Sequence, residues 1–397
     1  MKLERCKKKY VDGTHRVCSP QETYDAVSSK MPAVSIDSVE DITSMDRLAI
    51  PVFLACGHDD RSGATFTFKG KGASPIEAQV SAMMEALERY CSAFDESRVL
   101  VAPESALDSP YVVPHSLVLP NPMMYHDGMS IAWTRSYDLL GQQDTYVPSN
   151  AVFHPFPQNY GWLFRSNTNG LAAGNCIEEA ILHALCEVVE RDAWSLAEVV
   201  PNYPPQVEYD GKNSTVISLL DHFRDNEVDV SVTDITSDLG IPTFVAAADD
   251  KKTRDPTLLT VGVGSHLNPD VALIRALTEV AQSRLTQIYE NERNPNGAVL
   301  KRRLGYERIL KMNARWFTAT DTRIFSELSA LDTQYVRDDI EIILSILSAN
   351  GFEQAVVSDL SSESLGMPVV RVTVPGLEQC SVDRDRIGTR ARNAVKK

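Results

Sequence analysis

Short apolar runs and Gly- or Pro-containing turns alternate along much of this chain. "DITSMDRLAIPVFLACG" (41–57) and "DITSDLGIPTFVAAA" (234–248) each read as strand, turn, Pro, strand. "DLSSESLGMPVVRVTVP" (359–375) repeats the pattern more loosely, and "SYDLLGQQDTYVPSNAVF" (136–153) reads as a degenerate copy. A second pattern has helical spacing. "SAMMEALERY" (81–90), "HALCEVVERD" (183–192) and "RALTEVAQSR" (275–284) align residue by residue. Each follows a Gly-containing turn: "GKGASPIEAQV", "GLAAGNCIEEAI" or "GVGSHLNPDVAL". Ser74, Asn175 and Asn268 stand near the helix starts, where Ser and Asn cap well. Pro75 and Pro269 follow, where a missing N–H costs least.

The repeating unit is therefore β–β–β–α, used about three times, with a partial copy near the C-terminus. Such units are too long for a solenoid and too few for a propeller. They predict one α+β body whose mixed sheets are covered by helices. Residues 1–40 form a lead-in and 41–397 the main domain. The segment from about 291 to 350, with "YERILKMNARWF" and "DDIEIILSILSANGF", reads as helical.

Alignment of the three helices stacks polar residues into columns. Glu85, Glu187 and Glu279 share one; Glu88, Glu190 and Gln282 share the next; Ser81, His183 and Arg275 share the one before. A helix turns about 100° per residue, so neighbours in sequence flank each column. Those flanks are mostly Val, Leu, Met, Cys and Ala, which is not the pattern of a wet helix face. Side by side, such helices bring together five carboxylates and a Gln. Buried carboxylates demand cations. Arg89, Arg191, Arg275 and Arg284 are candidates, with a buried Glu–Arg network as the purely structural outcome. All-oxygen ligands favour Mg²⁺ or Ca²⁺ over Zn²⁺. Mg²⁺ usually arrives with phosphate, so a nucleotide is the natural ligand, and "GKG" with Lys71 could hold anionic oxygens.

Composition narrows the class. The chain has 397 residues, 43% hydrophobic and 23% charged, as in soluble globular proteins. A net charge of −15 argues against general affinity for nucleic acid or anionic membranes. No apolar run is long enough to cross a bilayer, and the basic start "MKLERCKKKYVDGTHRV" has no apolar signal region. Seven scattered cysteines without C-x-x-C argue against a zinc ribbon or disulfide scaffold and for a reducing cytoplasm. Cys91 and Cys186 sit in helical apolar patterns and read as packing residues. His58, His154 and His266 are isolated and read as loop or packing histidines. There is no P-loop, no G-x-G-x-x-G, no G-x-S-x-G and no H-E-x-x-H.

These residues resemble the YcaO family of ATP-dependent enzymes. "SAMMEALER" matches its S-x-x-x-E-x-x-E-R motif, 166–194 resembles its second motif region, and "EVAQSR" resembles E-x-x-Q-x-R. The resemblance spans roughly 45–380. It implies that ATP and Mg²⁺ are held by Lys71, Ser81, Glu85, Glu88, Arg89, Asn175, Glu179, Glu187, Glu190, Arg275, Glu279, Gln282 and Arg284. Glu85, Glu88, Glu187, Glu190 and Glu279 are then the metal ligands. It also implies activation of a peptide carbonyl: a nucleophile adds, and the oxyanion takes the γ-phosphoryl group of ATP. Azoline-forming members usually end in P-x-P-x-P, whereas this chain has no Pro after Pro375. "YVDGTHRVCSPQET" (10–23) and "PVVRVTVPGLE" (368–378) resemble the methanogen subgroup. That subgroup is linked to thioamidation of a glycine in the alpha subunit of methyl-coenzyme M reductase. The resemblance thus implies a sulfide source, a TfuA-like partner and a homodimer, alongside the cytoplasmic location read from the cysteines. An azoline-forming cyclodehydratase and a non-catalytic nucleotide-binding accessory protein are the alternatives.

Overall fold

The computed structural model describes residues 1–58, 63–122, 125–294 and 296–396. In chain order its elements begin α1 (Pro20–Val27), β1 (Ile36–Asp41), β2 (Val52–His58), β3 (Thr65–Lys71) and α2 (Pro75–Cys91). Next come β4 (Val99–Ala102), β5 (Ile131–Asp138), β6 (Gln143–Pro148), β7 (Leu171–Ala173) and α3 (Ile177–Val199). Then follow β8 (Gln206–Glu208), α4 (Ser214–Asp225), β9 (Asp229–Asp234), β10 (Thr243–Asp249), β11 (Thr260–Ser265) and α5 (Pro269–Arg293). The remainder is α6 (Val299–Leu304), α7 (Tyr306–Met312), α8 (Ala314–Phe317), β12 (Thr322–Ile324), α9 (Val336–Ala349), β13 (Val356–Asp359), β14 (Val369–Thr373) and α10 (Thr389–Ala394). The segment expected to be helical over 291–350 is so for the most part, with β12 intervening; residue 295 lies outside the described residues. No helix among the described residues is long and apolar enough to cross a membrane.

The α+β expectation holds: among the described residues, strands form three sheets and helices accompany them. The chain divides into two compact units. One comprises Lys9–Ala86 and Asn202–Asp332; the other comprises Met1–Lys8, Leu87–Pro201 and Thr333–Lys397. The division falls inside α2. That helix gives Ser81 and Glu85 to the first unit and Glu88 and Arg89 to the second.

The first unit contains two copies of the predicted repeat. In one, β1, β2 and β3 form an antiparallel sheet and lead into α2. In the other, β9, β10 and β11 are antiparallel and lead into α5, with β8 and β12 extending the sheet beyond β9. Phe244, Ala246, Leu273, Leu277 and Val280 pack here with Leu219 and Phe223 of α4. Glycine matters at the strand–helix contacts. A Cβ on Gly70 would lie 2.0 Å from the Ala82 N, and one on Gly264 2.2 Å from the Ala272 O. The "GKG" glycine thus serves close approach of helix to strand.

The second unit holds a six-stranded sheet of order β4–β5–β13–β14–β7, with β6 paired to β5. Its third repeat is assembled out of chain order, as β13, β14, β7 and α3. The registers coincide. Val52 pairs with Lys71, Thr243 with Ser265 and Val369 with Ala173, each first partner directly following a Pro. The helices then begin at Pro75, Pro269 and Ile177, four residues past those strand ends. Asp41, Asp234 and Asp359 likewise sit opposite Phe53, Phe244 and Val370. The 136–153 segment, expected to be a degenerate copy, is instead the β5–β6 hairpin. The C-terminal strands occupy the repeat position because β7 has only three residues and takes its partner from β14.

Candidate functional site

Each polar column lies between buried flanks. Ser81, Glu85 and Glu88 are half-buried, while Ala82, Met83, Ala86 and Leu87 are buried. His183 and Glu187 are half-buried between buried Leu182, Ala184, Cys186 and Val188. Arg275, Glu279 and Gln282 are half-buried between buried Ile274, Ala276, Thr278, Val280 and Ala281. The apolar flanks pack the helices and leave a polar strip that a ligand can reach. Glu190 is the exception, only 1% exposed.

In the first unit the α5 column runs along β3. Lys71, the last residue of β3, is ion-paired with Glu279. Gln282 Nε2 donates to the Lys69 carbonyl at 2.7 Å. Arg284 does not join them. Two residues beyond Gln282 it has turned by about 200° around the helix. Its Nε donates to Asp46 Oδ2 and its Nη2 to Asp250 Oδ2, both at 2.8 Å. Arg47 reaches both Asp250 oxygens at 2.8 Å. Burial pushes the Asp250 carboxyl up. Hydrogen bonds from Arg47, the Thr253 N–H and Arg284 more than reverse this and hold it well below the usual carboxylate range.

In the second unit Glu88 Oε1 accepts the Ala173 N–H at 2.7 Å, which ties α2 to the end of β7. The N-cap of α3 is Cys176 rather than Asn175, and its side chain makes no capping bond. Asn175 instead donates through its N–H (3.2 Å) and Nδ2 (2.9 Å) to Glu179 Oε1. In the first unit, by contrast, Asn268 does N-cap α5, accepting from the Asp270 and Val271 N–H groups. Arg191 lies 3.5 Å from Glu190 and 3.8 Å from Glu187. Cys186 is buried and Cys91 half-buried, as expected of packing cysteines. His154 accompanies Ser166, and burial, then Arg89 and Arg371, press its pKa down.

Sequence reasoning missed Arg371 on β14. Its Nη2 donates to Asn167 Oδ1 at 3.2 Å, whereas Nε and Nη1 have no hydrogen-bond partner among the described residues. Burial lowers its pKa to about 10, with Glu187 opposing and Arg89 assisting. It lines a cavity of ≈ 20 Å³ with Asn167, Asn169, Thr373 and Arg386, room for one water-sized group. A lone Arg inside the apolar run "PVVRVTVP" was the available signal.

Comparisons with known proteins agree over most of the chain. A protein-family profile described as "YcaO cyclodehydratase, ATP-ad Mg2+-binding" matches residues 69–378. An uncharacterized protein of Methanothermobacter thermautotrophicus is 44% identical over 382 residues, covering 95% of this chain and 98% of that one. An uncharacterized protein in the tfuA 3′ region of Rhizobium leguminosarum bv. trifolii is 28% identical over 414 residues, covering 99% and 96%. The structure of YcaO from Methanopyrus kandleri bound with AMPPCP and Mg²⁺ matches with a TM-score of 0.81 at 27% identity, covering 97% and 98%.

Proposed function

The chain belongs to the YcaO family of ATP-dependent enzymes, and on that premise we propose that it converts a backbone amide into a thioamide. The substrate residue in this reading is a glycine of the methyl-coenzyme M reductase alpha subunit, and sulfide supplies the sulfur. A TfuA-like partner assists it, a pairing supported by the tfuA neighbourhood of the Rhizobium relative. The protein acts in the cytoplasm as a homodimer, with 41–397 as its catalytic body.

One observation carries the nucleotide assignment. Three helices that leave their sheets in the same register each present a half-buried polar column between buried flanks. Such strips suit a ligand that brings its own cations. Glu85, Glu88, Glu187, Glu190 and Glu279 offer the oxygen donors that Mg²⁺ prefers. When bound, Mg²⁺ offsets charge on the phosphates as the γ-phosphoryl group moves. Lys71, Ser81, Arg89, Asn175, Arg275 and Gln282 complete the nucleotide cradle, with Glu179 and Arg284 supporting it from behind. Glu179 acts by fixing Asn175, and Arg284 by anchoring α5 from its far side.

The reaction balances with one ATP. Hydrosulfide adds to the amide carbon, and the resulting oxyanion takes the γ-phosphoryl group, leaving ADP. The S–H proton is lost, the C–O bond breaks to release phosphate, and C=S remains. Azoline formation by a Cys, Ser or Thr side chain of the substrate is the second reading, favoured by the cyclodehydratase description of the family profile. Mass spectrometry separates them. A reductase peptide given ATP, sulfide, this protein and a competent TfuA-like partner should gain the oxygen-to-sulfur mass difference. No gain under those conditions sinks thioamidation. Loss of water from a Cys-containing peptide without sulfide supports the azoline instead.

A further inference from the structure

The geometry points to a second metal site, distinct from the Mg²⁺–nucleotide columns, built from Cys6, Cys176 and Glu178 for a soft divalent cation of the zinc class. The three ligand atoms lie within 4.8 Å of one another. Cys6 Sγ is 3.6 Å from Glu178 Oε2. A tetrahedral ion with bonds of about 2.3 Å to sulfur and about 2.0 Å to oxygen sets its S···O edge at roughly 3.5 Å. The Cys6–Glu178 edge therefore already stands at the spacing such an ion needs, with the Cys176 Sγ within 4.8 Å of both.

Their placement is built in. Cys176 and Glu178 belong to the N-cap and first turn of α3. Cys6 lies on an N-terminal segment pinned by backbone bonds: Val336 N–H to Cys6 O at 2.9 Å and Lys8 N–H to Gln334 O at 3.0 Å. Glu178 is only 3% exposed. Its Oε1 accepts the Glu4 N–H at 2.6 Å, and Oε2 faces the Cys6 thiol. No Lys, Arg or His side chain pairs with it among the described residues. A carboxylate this buried, with a weak S–H donor as its second partner, is costly without a cation. Burial raises both thiols in the metal-free chain, so a bound ion would displace their protons. Two thiolates and one carboxylate select a zinc-like ion over Mg²⁺. Three protein ligands leave a fourth position for water or a small anion. The ion would tie residue 6 to the helix that carries Glu179, Glu187 and Glu190.

Cobalt(II) is the probe, added to the full-length reduced chain without nucleotide. One equivalent should bind with tetrahedral visible bands and a thiolate-to-metal absorption. That absorption should be lost in C6S and in C176S, and the tetrahedral bands altered in E178Q. Oxygen-ligated Co²⁺ at the glutamate columns gives no thiolate absorption, so the two sites read out separately. Circular dichroism checks the fold, and C6S, on the N-terminal segment, guards against a C176S variant that does not fold. Absence of thiolate absorption in the wild-type chain overturns the site, as does its persistence in folded C6S. A Cys6–Cys176 disulfide in protein isolated without oxidant also overturns it. Thioamidation could fail while this site stands, because metal binding is read without turnover.

Discussion

Replacing Arg284 with Met tests what holds α5 in place. The substitution keeps an unbranched side chain of similar reach and removes the charge. Arg284, Asp46 and Asp250 have side chains 2%, 4% and 1% exposed. Asp250 keeps Arg47, but Asp46 is left buried without its ion-pair partner. Breaking a buried pair in this way costs about 3–5 kcal/mol. At about 1.2 °C per kcal/mol for a chain of 397 residues, the melting temperature should fall by roughly 4–6 °C. Calorimetry of nucleotide-free protein at neutral pH measures it. Adding Asp46→Asn should return part of the loss, because the stranded carboxylate is then gone. The pH dependence has a definite sign. The folded Asp250 pKa lies below its unfolded value, so its stabilisation is present at neutral pH and fades as pH falls below about 4. R284M should flatten that acid limb. If R284M melts within a degree or two of wild type yet loses ATP binding, the guanidinium serves the nucleotide directly and the structural reading fails.

The other expectations are briefer. Glu85→Gln, Glu187→Gln and Glu279→Gln should each cut Mg²⁺-dependent ATP turnover at least tenfold, while shifting apo stability by no more than about 1 kcal/mol, since all three carboxylates are part-exposed. Steady-state kinetics with denaturant melts would expose a purely structural column as normal turnover in all three. Gly70→Ala should destabilise by about 1–3 kcal/mol, read as a lower denaturant midpoint, because its methyl meets the α2 backbone. An unchanged midpoint would mean that helix and strand part freely. Burial pushes the Cys91 thiol up to about 11, so at pH 9 only about one per cent is thiolate. Its alkylation, followed by peptide mass spectrometry, should trail that of a small free thiol by well over tenfold, and equal rates would contradict its burial.

Much of this was legible in the sequence because two signals recur. The strand–turn–Pro–strand echo marked β1–β2 and β9–β10, and the aligned helices marked α2, α3 and α5. Their half-buried columns follow from angular spacing alone. Sheet order was not legible. β7 is three residues long, and the strands that complete its repeat lie far downstream, so a nearer hairpin with similar composition drew the assignment. Side-chain direction was misleading for Arg284, which belongs to a motif by sequence yet lies across the helix from it. Arg371 passed unnoticed because one charge in an apolar strand carries no periodic signal. Cys6 and Cys176 passed for the same reason, since 170 residues separate two thiols that the fold brings together.

The central claim is that the glutamate columns hold metal and triphosphate. Crystals grown with AMPPCP and Mn²⁺ in place of Mg²⁺ test it directly through the anomalous signal of manganese. The expected result is manganese bound between the triphosphate and carboxylates from Glu85, Glu88, Glu187, Glu190 and Glu279. Nucleotide bound elsewhere, with no manganese at any of these five side chains, would contradict it.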